Sequence, residues 1–215
     1  MENVHEIFVN VQKIYNEILR VSIDKDADSG SLKCHGNPIF YNYLILDGSK
    51  LYNILDCYKN CLTPINIQNY DLDSFKDSCI YVGKGKDNRK FQHAICGKKI
   101  IEGHLIMSKL SEKFSTITKL WDQGLGVVIL QLFNETTHQE AHAREYALIK
   151  ALSLNNITNV VNGTTFGDMK NNWNKTEIAN YGNMILYNAL KMCIHEPPRI
   201  IQSKDVILPK PRKNK

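Results

Sequence analysis

Three short apolar runs constrain this sequence most: IFYNYLILD (39–47), SCIYVG (78–83) and VVILQLF (127–133). Each is rich in β-branched and aromatic residues, the side chains that suit a pleated, largely buried strand. The stretches between them are far longer than hairpin loops of about 2–5 residues, so they must contain helices. Residues 137–153 and 175–194 read as helices, and 88–122 as a helix in two pieces broken at Gly97 or Gly103. Residues 48–75 read as a helix plus a long connection. Near the start, Ile7, Val11, Ile14 and Ile18 recur at spacings of four and three, which predicts a helix over 5–21, followed by a polar loop at 24–31. The fold class expected is α+β: a small three-stranded, mainly antiparallel sheet flanked by helices, with an added N-terminal helix. The expected division is an N-terminal helix and loop (1–37), one central domain (38–195) and a basic tail (196–215).

Composition narrows the functional classes. No apolar run approaches the roughly 20 residues of a membrane span, so no membrane role is expected. The first ten residues lack a basic start and an apolar core, so they do not read as a signal peptide and an intracellular location (nucleus or cytoplasm) is expected. The six cysteines show no paired CxxC motifs and read as free thiols. Charge is unevenly spread. Residues 84–119 hold nine basic and three acidic side chains, and 210–215 add four more basic ones, against a net charge of +5 for the whole. A basic stripe on an acidic remainder fits a phosphate-binding partner.

Three constellations could carry chemistry. In the helix over 137–153, Ala141, Leu148, Ile149 and Leu152 form an apolar stripe, and Glu145 falls inside it. A carboxylate there needs either a buried cationic partner or a metal ion facing a cleft. The segment Tyr81-Val-Gly-Lys-Gly-Lys86 leaves a strand for a helix, where glycines and outward N–H groups favour an anion. Arg89 and His93 follow, four apart on one helix face. His138 and His142, also four apart, form a rival set that could hold the zinc of a hydrolase, although Gln139 stands where HExxH carries its general base.

Taken in order, Tyr43, Tyr81-Val-Gly83, Arg89, Glu145 and Asn159 resemble the motif set of the GIY-YIG endonucleases. The runs NYLILD (42–47), IYVGKGK (80–86), KLWDQGLGVVILQLF (119–133), EAHAREYALIKALSL (140–154) and ITNVVNGTTFG (157–167) resemble the nuclease domain of animal ankyrin-and-LEM-domain proteins. The likeness covers about 40–190. The first motif reads Asn42-Tyr43-Leu44, and Tyr41 competes with Tyr43 for its role. Neither ankyrin repeats nor a LEM domain is recognised here.

The resemblance implies a metal-dependent DNA endonuclease of low sequence specificity, with branched or structured DNA among its candidate substrates. Glu145 is then the ligand of one Mg²⁺ or Mn²⁺. Tyr43 acts as, or positions, the general base, its pKa lowered by Lys84 or the metal. Tyr81 hydrogen-bonds the nucleophile or phosphate, and Arg89 clamps the phosphate oxygens. Lys84 and His93 support the charge field, and Asn159 braces the Glu145 helix or the active-site loop. Lys84, Lys86, Arg89, Lys90, Lys98 and Lys99 are the candidate DNA contacts. A binding module without catalysis on the same fold is the alternative.

Overall fold

The computed structural model describes residues 39–59, 67–105 and 112–209. The expected helix over 5–21, the loop at 24–31 and the basic end at 210–215 lie outside the described residues.

Three strands form one antiparallel sheet in the order β2-β1-β3: β1 (Phe40–Asp47), β2 (Cys79–Gly85) and β3 (Val127–Thr136). Helices α1 (Gly48–Asp56) and α2 (Asn69–Ser78) fill the first gap. A 3-10 turn (Arg89–Phe91), α3 (Gln92–Ile101) and α4 (Glu112–Asp122) fill the second. Helices α5 (His138–Leu152), α6 (Gly167–Asn171) and α7 (Lys175–His195) follow β3. The expected α+β class and strand pairing are thus met. Residues 48–75 hold a second helix, α2, where a connection was expected. Of the two candidate breaks, Gly97 lies inside α3, whereas Gly103, at φ +75°, follows its end.

β1 is central and buried on both faces, which is why its sequence reads as an almost unbroken apolar run. Alternate residues serve two cores. Leu44 and Leu46 join Val82, Val128, Leu130 and Leu132 beneath α1, α2, α5 and α7. Tyr41, Tyr43 and Ile45 join Ile80, Ala94, Ile117 and Trp121 beneath α3 and α4. A register shift opposite Ile45/Leu46 lets Ile80 face the second core and Val82 the first.

α5 starts sharply because Thr137 and Glu140 form a capping box. Its buried cation, Arg144, lies 3.4 Å from Glu140 and donates to the Tyr181 hydroxyl of α7. The folded part does not stop at His195: Ile201 pairs with Val127, and Trp121 donates its indole N–H to the Ile201 carbonyl at 2.9 Å. The segment 198–206 therefore packs on the sheet end instead of belonging to a free tail. No described helix is long and apolar enough to cross a membrane.

Candidate active site

The outer edge of β2 carries the site. Tyr81 and Lys84 from β2, Lys113 from α4, His142 and Glu145 from α5, and the loop 158–164 line an open cleft of about 540 Å³. The cleft draws on both faces of the sheet. Lys84 and Glu145 come from the α5 side, Tyr81 and Lys113 from the α4 side.

Asn159 brings the loop to the strand. Its side-chain carbonyl accepts from Val82 N–H at 2.9 Å, and its amide donates to the Val82 carbonyl at 2.8 Å. Thr158 adds backbone and hydroxyl bonds to the Ile80 carbonyl. The pair satisfies ladder groups on the edge of β2 and walls the cleft at once.

Glu145 is 8% exposed, and its Oε2 lies 2.8 Å from Lys84 Nζ. The two sequence readings of this carboxylate therefore meet: it has a cationic partner, and it faces a cleft. Among the described residues, no group of three or more His, Cys, Asp or Glu side chains could hold a metal ion. His138 and His142 pair with each other, Nε2 to Nε2 at 3.0 Å, with Phe40 and Phe166 edge-on to their rings. The geometry supplies no third zinc ligand among the described residues. A one-carboxylate site at Glu145 remains compatible with a hard divalent ion, which fills its other positions with water and phosphate oxygens.

Behind Tyr81 lies a second layer. Tyr43 is 1% exposed, and its hydroxyl meets His93 Nε2 at 2.7 Å. The rings of Tyr43, Tyr81 and His93 are mutually within 6.1 Å, and Tyr81 also shares a side-chain hydrogen bond with Tyr43. Gly83 stands directly across from Tyr43 in the ladder, and a Cβ there would come within 2.3 Å of the Tyr43 ring. The glycine of the second motif is thus the space the first tyrosine occupies. Tyr41 has another task. Its hydroxyl donates to the Asp87 carbonyl at 2.7 Å and accepts from Lys90 N–H, so it pins the turn after β2. The two competing tyrosines thus have different partners: Tyr43 meets His93 behind the cleft, and Tyr41 holds the turn after β2.

Electrostatics follow from burial. Burial, with Tyr81 beside it, pushes the Tyr43 phenol well above its ordinary value, and Arg89 opposes the shift. Tyr81 is raised too, by burial first and Glu145 second. Lys84 does not lower the Tyr43 pKa as the sequence suggested; its ammonium is committed to Glu145. His93 is held at about 3, by burial first and then by Lys113 and Arg89, so the imidazole is neutral at neutral pH. His142 sits at about 4 through burial, Lys84 and His138.

Arg89 is exposed on the 3-10 turn, close enough to Tyr43, Tyr81, His93 and Lys113 to shift them, though outside the cleft wall itself. The other candidate DNA-contacting lysines differ in their surroundings. Lys86 is exposed. Lys90 bonds Gln131 and lies over the Tyr41 and Phe91 rings. Lys98 pairs with Glu102 at 3.3 Å and reaches Ser203 at 3.4 Å. Lys99 is partly buried on α3. Lys113, within the basic segment but not singled out by any motif, is the wall residue that sequence reasoning missed.

A three-stranded antiparallel sheet flanked by helices, with a cleft at its β2 edge, is the fold of a nuclease-type domain of the GIY-YIG class. The chain belongs to the LEM-3-like GIY-YIG domain family, which matches residues 40–208. It is 32% identical over 169 residues to the ankyrin repeat and LEM domain-containing protein 1 homolog of Caenorhabditis elegans, covering 77% of this chain and 22% of that protein. It is 27% identical to ankyrin repeat and LEM domain-containing protein 1 of Homo sapiens, covering 77% and 26%, and 26% identical to that of Mus musculus, covering 77% and 30%. The chain thus spans less than a third of the length of these relatives. No solved structure matches it.

Proposed function

We propose that this domain is a DNA endonuclease that hydrolyses phosphodiester bonds with low sequence specificity and with the help of one Mg²⁺ or Mn²⁺ ion. The observation that carries the reading is the cleft in which Glu145 and Tyr81 face common space, with the Tyr43–His93 pair directly behind Tyr81. Glu145 is the residue that would hold the ion. Such an ion, when bound, supplies Lewis-acid polarisation of the phosphate and charge stabilisation at the leaving oxygen.

The protein groups divide the remaining work. Tyr81, which lines the cleft, orients the attacking water through its hydroxyl. Tyr43, whose raised pKa keeps it protonated, serves as a relay and not as a free base: as the water gives a proton to the Tyr81 hydroxyl, Tyr81 passes its own to Tyr43 and Tyr43 passes its own to His93. Neutral His93 has a ring lone pair for that proton. A phosphodiester seated near Arg89 and Lys113 offsets two of the three causes that depress His93, so substrate raises its basicity. Arg89 has no hydrogen-bonded partner among the described residues and is free to fork onto the non-bridging oxygens. Lys84 neutralises Glu145 before substrate arrives. Asn159 fixes the wall. Few side chains at the cleft offer a pattern for reading base edges, which supports low specificity.

The deciding experiment incubates the protein and Mg²⁺ with duplex, single-stranded, flap and junction DNA, beside the Glu145→Ala variant. Cleavage by the parent, lost in the variant with binding retained, is the expected result. Equal cleavage by both removes Glu145 from the mechanism. DNA binding by the parent without nicking under any metal leaves a binding module.

A further inference from the structure

Lys113 lies in the first turn of α4, where the helix dipole disfavours a cation. It is partly buried, and no hydrogen bond or ion pair among the described residues holds its ammonium. The head group rests instead on aromatic faces, 3.9 Å from the centre of the Tyr81 ring and 5.1 Å from that of Phe114. Burial lowers its pKa to about 8, with Cys96 opposing and Arg89 adding to the shift. A desolvated cation without a counter-ion is costly, and such sites concentrate where a ligand supplies the missing charge.

The charges of the cleft wall point to the ligand. Lys84 is cancelled by Glu145 at 2.8 Å, and His142 is neutral at neutral pH. Lys113 therefore leaves the wall with one net positive charge, next to the exposed guanidinium of Arg89. One phosphodiester monoanion neutralises that charge.

We propose that Lys113 is a substrate-binding residue of this site, its ammonium contacting a non-bridging oxygen of the phosphodiester seated against Tyr81. The assignment rests on the nuclease reading above. It places the phosphate between groups from three elements: Lys113 on α4, Arg89 on the 3-10 turn and Tyr81 on β2.

The test uses the whole chain in EDTA, so that nothing is cut, and a fluorescent duplex oligonucleotide titrated by anisotropy at several salt concentrations. Each phosphate contact contributes about 0.9 to the slope of log K against log salt. Lys113→Gln is expected to weaken binding several-fold and to reduce that slope by about one contact, whereas Lys113→Arg keeps it. A residue that only props the Tyr81 ring would leave the slope unmoved. An unchanged slope in a folded Lys113→Gln protein therefore overturns the assignment while the nuclease reading stands. A parent chain that binds no DNA overturns both. Lysine acylation of the parent, read by mass spectrometry, answers independently of any variant. The oligonucleotide should slow Lys113 modification several-fold, and equal rates with and without DNA count against the contact.

Discussion

The two faces of the sheet are built differently. The face under α1, α2, α5 and α7 is a broad core in which Leu44, Leu51, Leu148 and Leu190 are fully buried. The face under α3 and α4 is smaller and holds Tyr41, Tyr43 and Trp121, with His93 and Tyr81 at its margin. Both take alternate residues of the same strand, β1. The larger core can supply most of the stability, roughly in proportion to the apolar area it removes from water. The displaced phenols of the larger core, Tyr181 and Tyr187, lie away from the cleft wall, whereas Tyr43 and His93 of the smaller face stand directly behind it. The cleft lies at the β2 edge, where groups from the two faces come within reach of each other.

Substitutions can break this division. Leu148→Ala, on the larger face, should lower unfolding free energy in urea by about 2–5 kcal/mol while the protein that remains folded keeps its turnover. A matching loss from the Tyr43 face would erase the contrast. Arg89→Ala should do the opposite, costing about 2.7–4 kcal/mol of transition-state stabilisation in kcat/KM with the melting temperature little changed. Unaltered turnover would remove Arg89 from the site.

The acid limb of stability sharpens the comparison further. His93 has a folded pKa of about 3 against an ordinary 6.5, so between those values the unfolded chain binds the proton more readily. Stability that is complete above pH 6.5 should therefore fall as pH drops toward 3. His93→Gln should flatten that fall by about 2 kcal/mol after allowance for partial exposure. His142, held at about 4, should leave a smaller residue of the same sign. The smallest effect is expected for Tyr43→Phe. Losing its hydroxyl bond to His93 should cost only about 0.5–1.5 kcal/mol of stability. Its cleavage rate should fall far more than its stability.

Much of the fold was legible because strand and helix periods are local. The three apolar runs became β1, β2 and β3, and the stripe of Ala141, Leu148, Ile149 and Leu152 became the buried side of α5. The second helix, α2, was harder to read because its sequence, NYDLDSFKDS, carries only two large apolar anchors, Leu72 and Phe75. The packing of 198–206 rests on a bridge to Val127, the Trp121 indole bond and bonds from Tyr52 and Gln202, none of which has a sequence period.

For the candidate site, the motif order could name Tyr43, Tyr81, Arg89, Glu145 and Asn159, three of them on strands or a helix, Arg89 on a 3-10 turn and Asn159 in a loop. The chain alone also showed that Glu145 required a partner, because an apolar helix face cannot hold a bare carboxylate. Only the tertiary structure decided which partner, Lys84, stands 61 positions away in sequence. It alone set Tyr43 over Gly83, through the ladder register, and gave Tyr41 a different partner. It alone brought Lys113 onto Tyr81. Periodicity is written residue by residue along a chain, but distance between elements, and the desolvation that shifts a pKa, arise only when the elements pack.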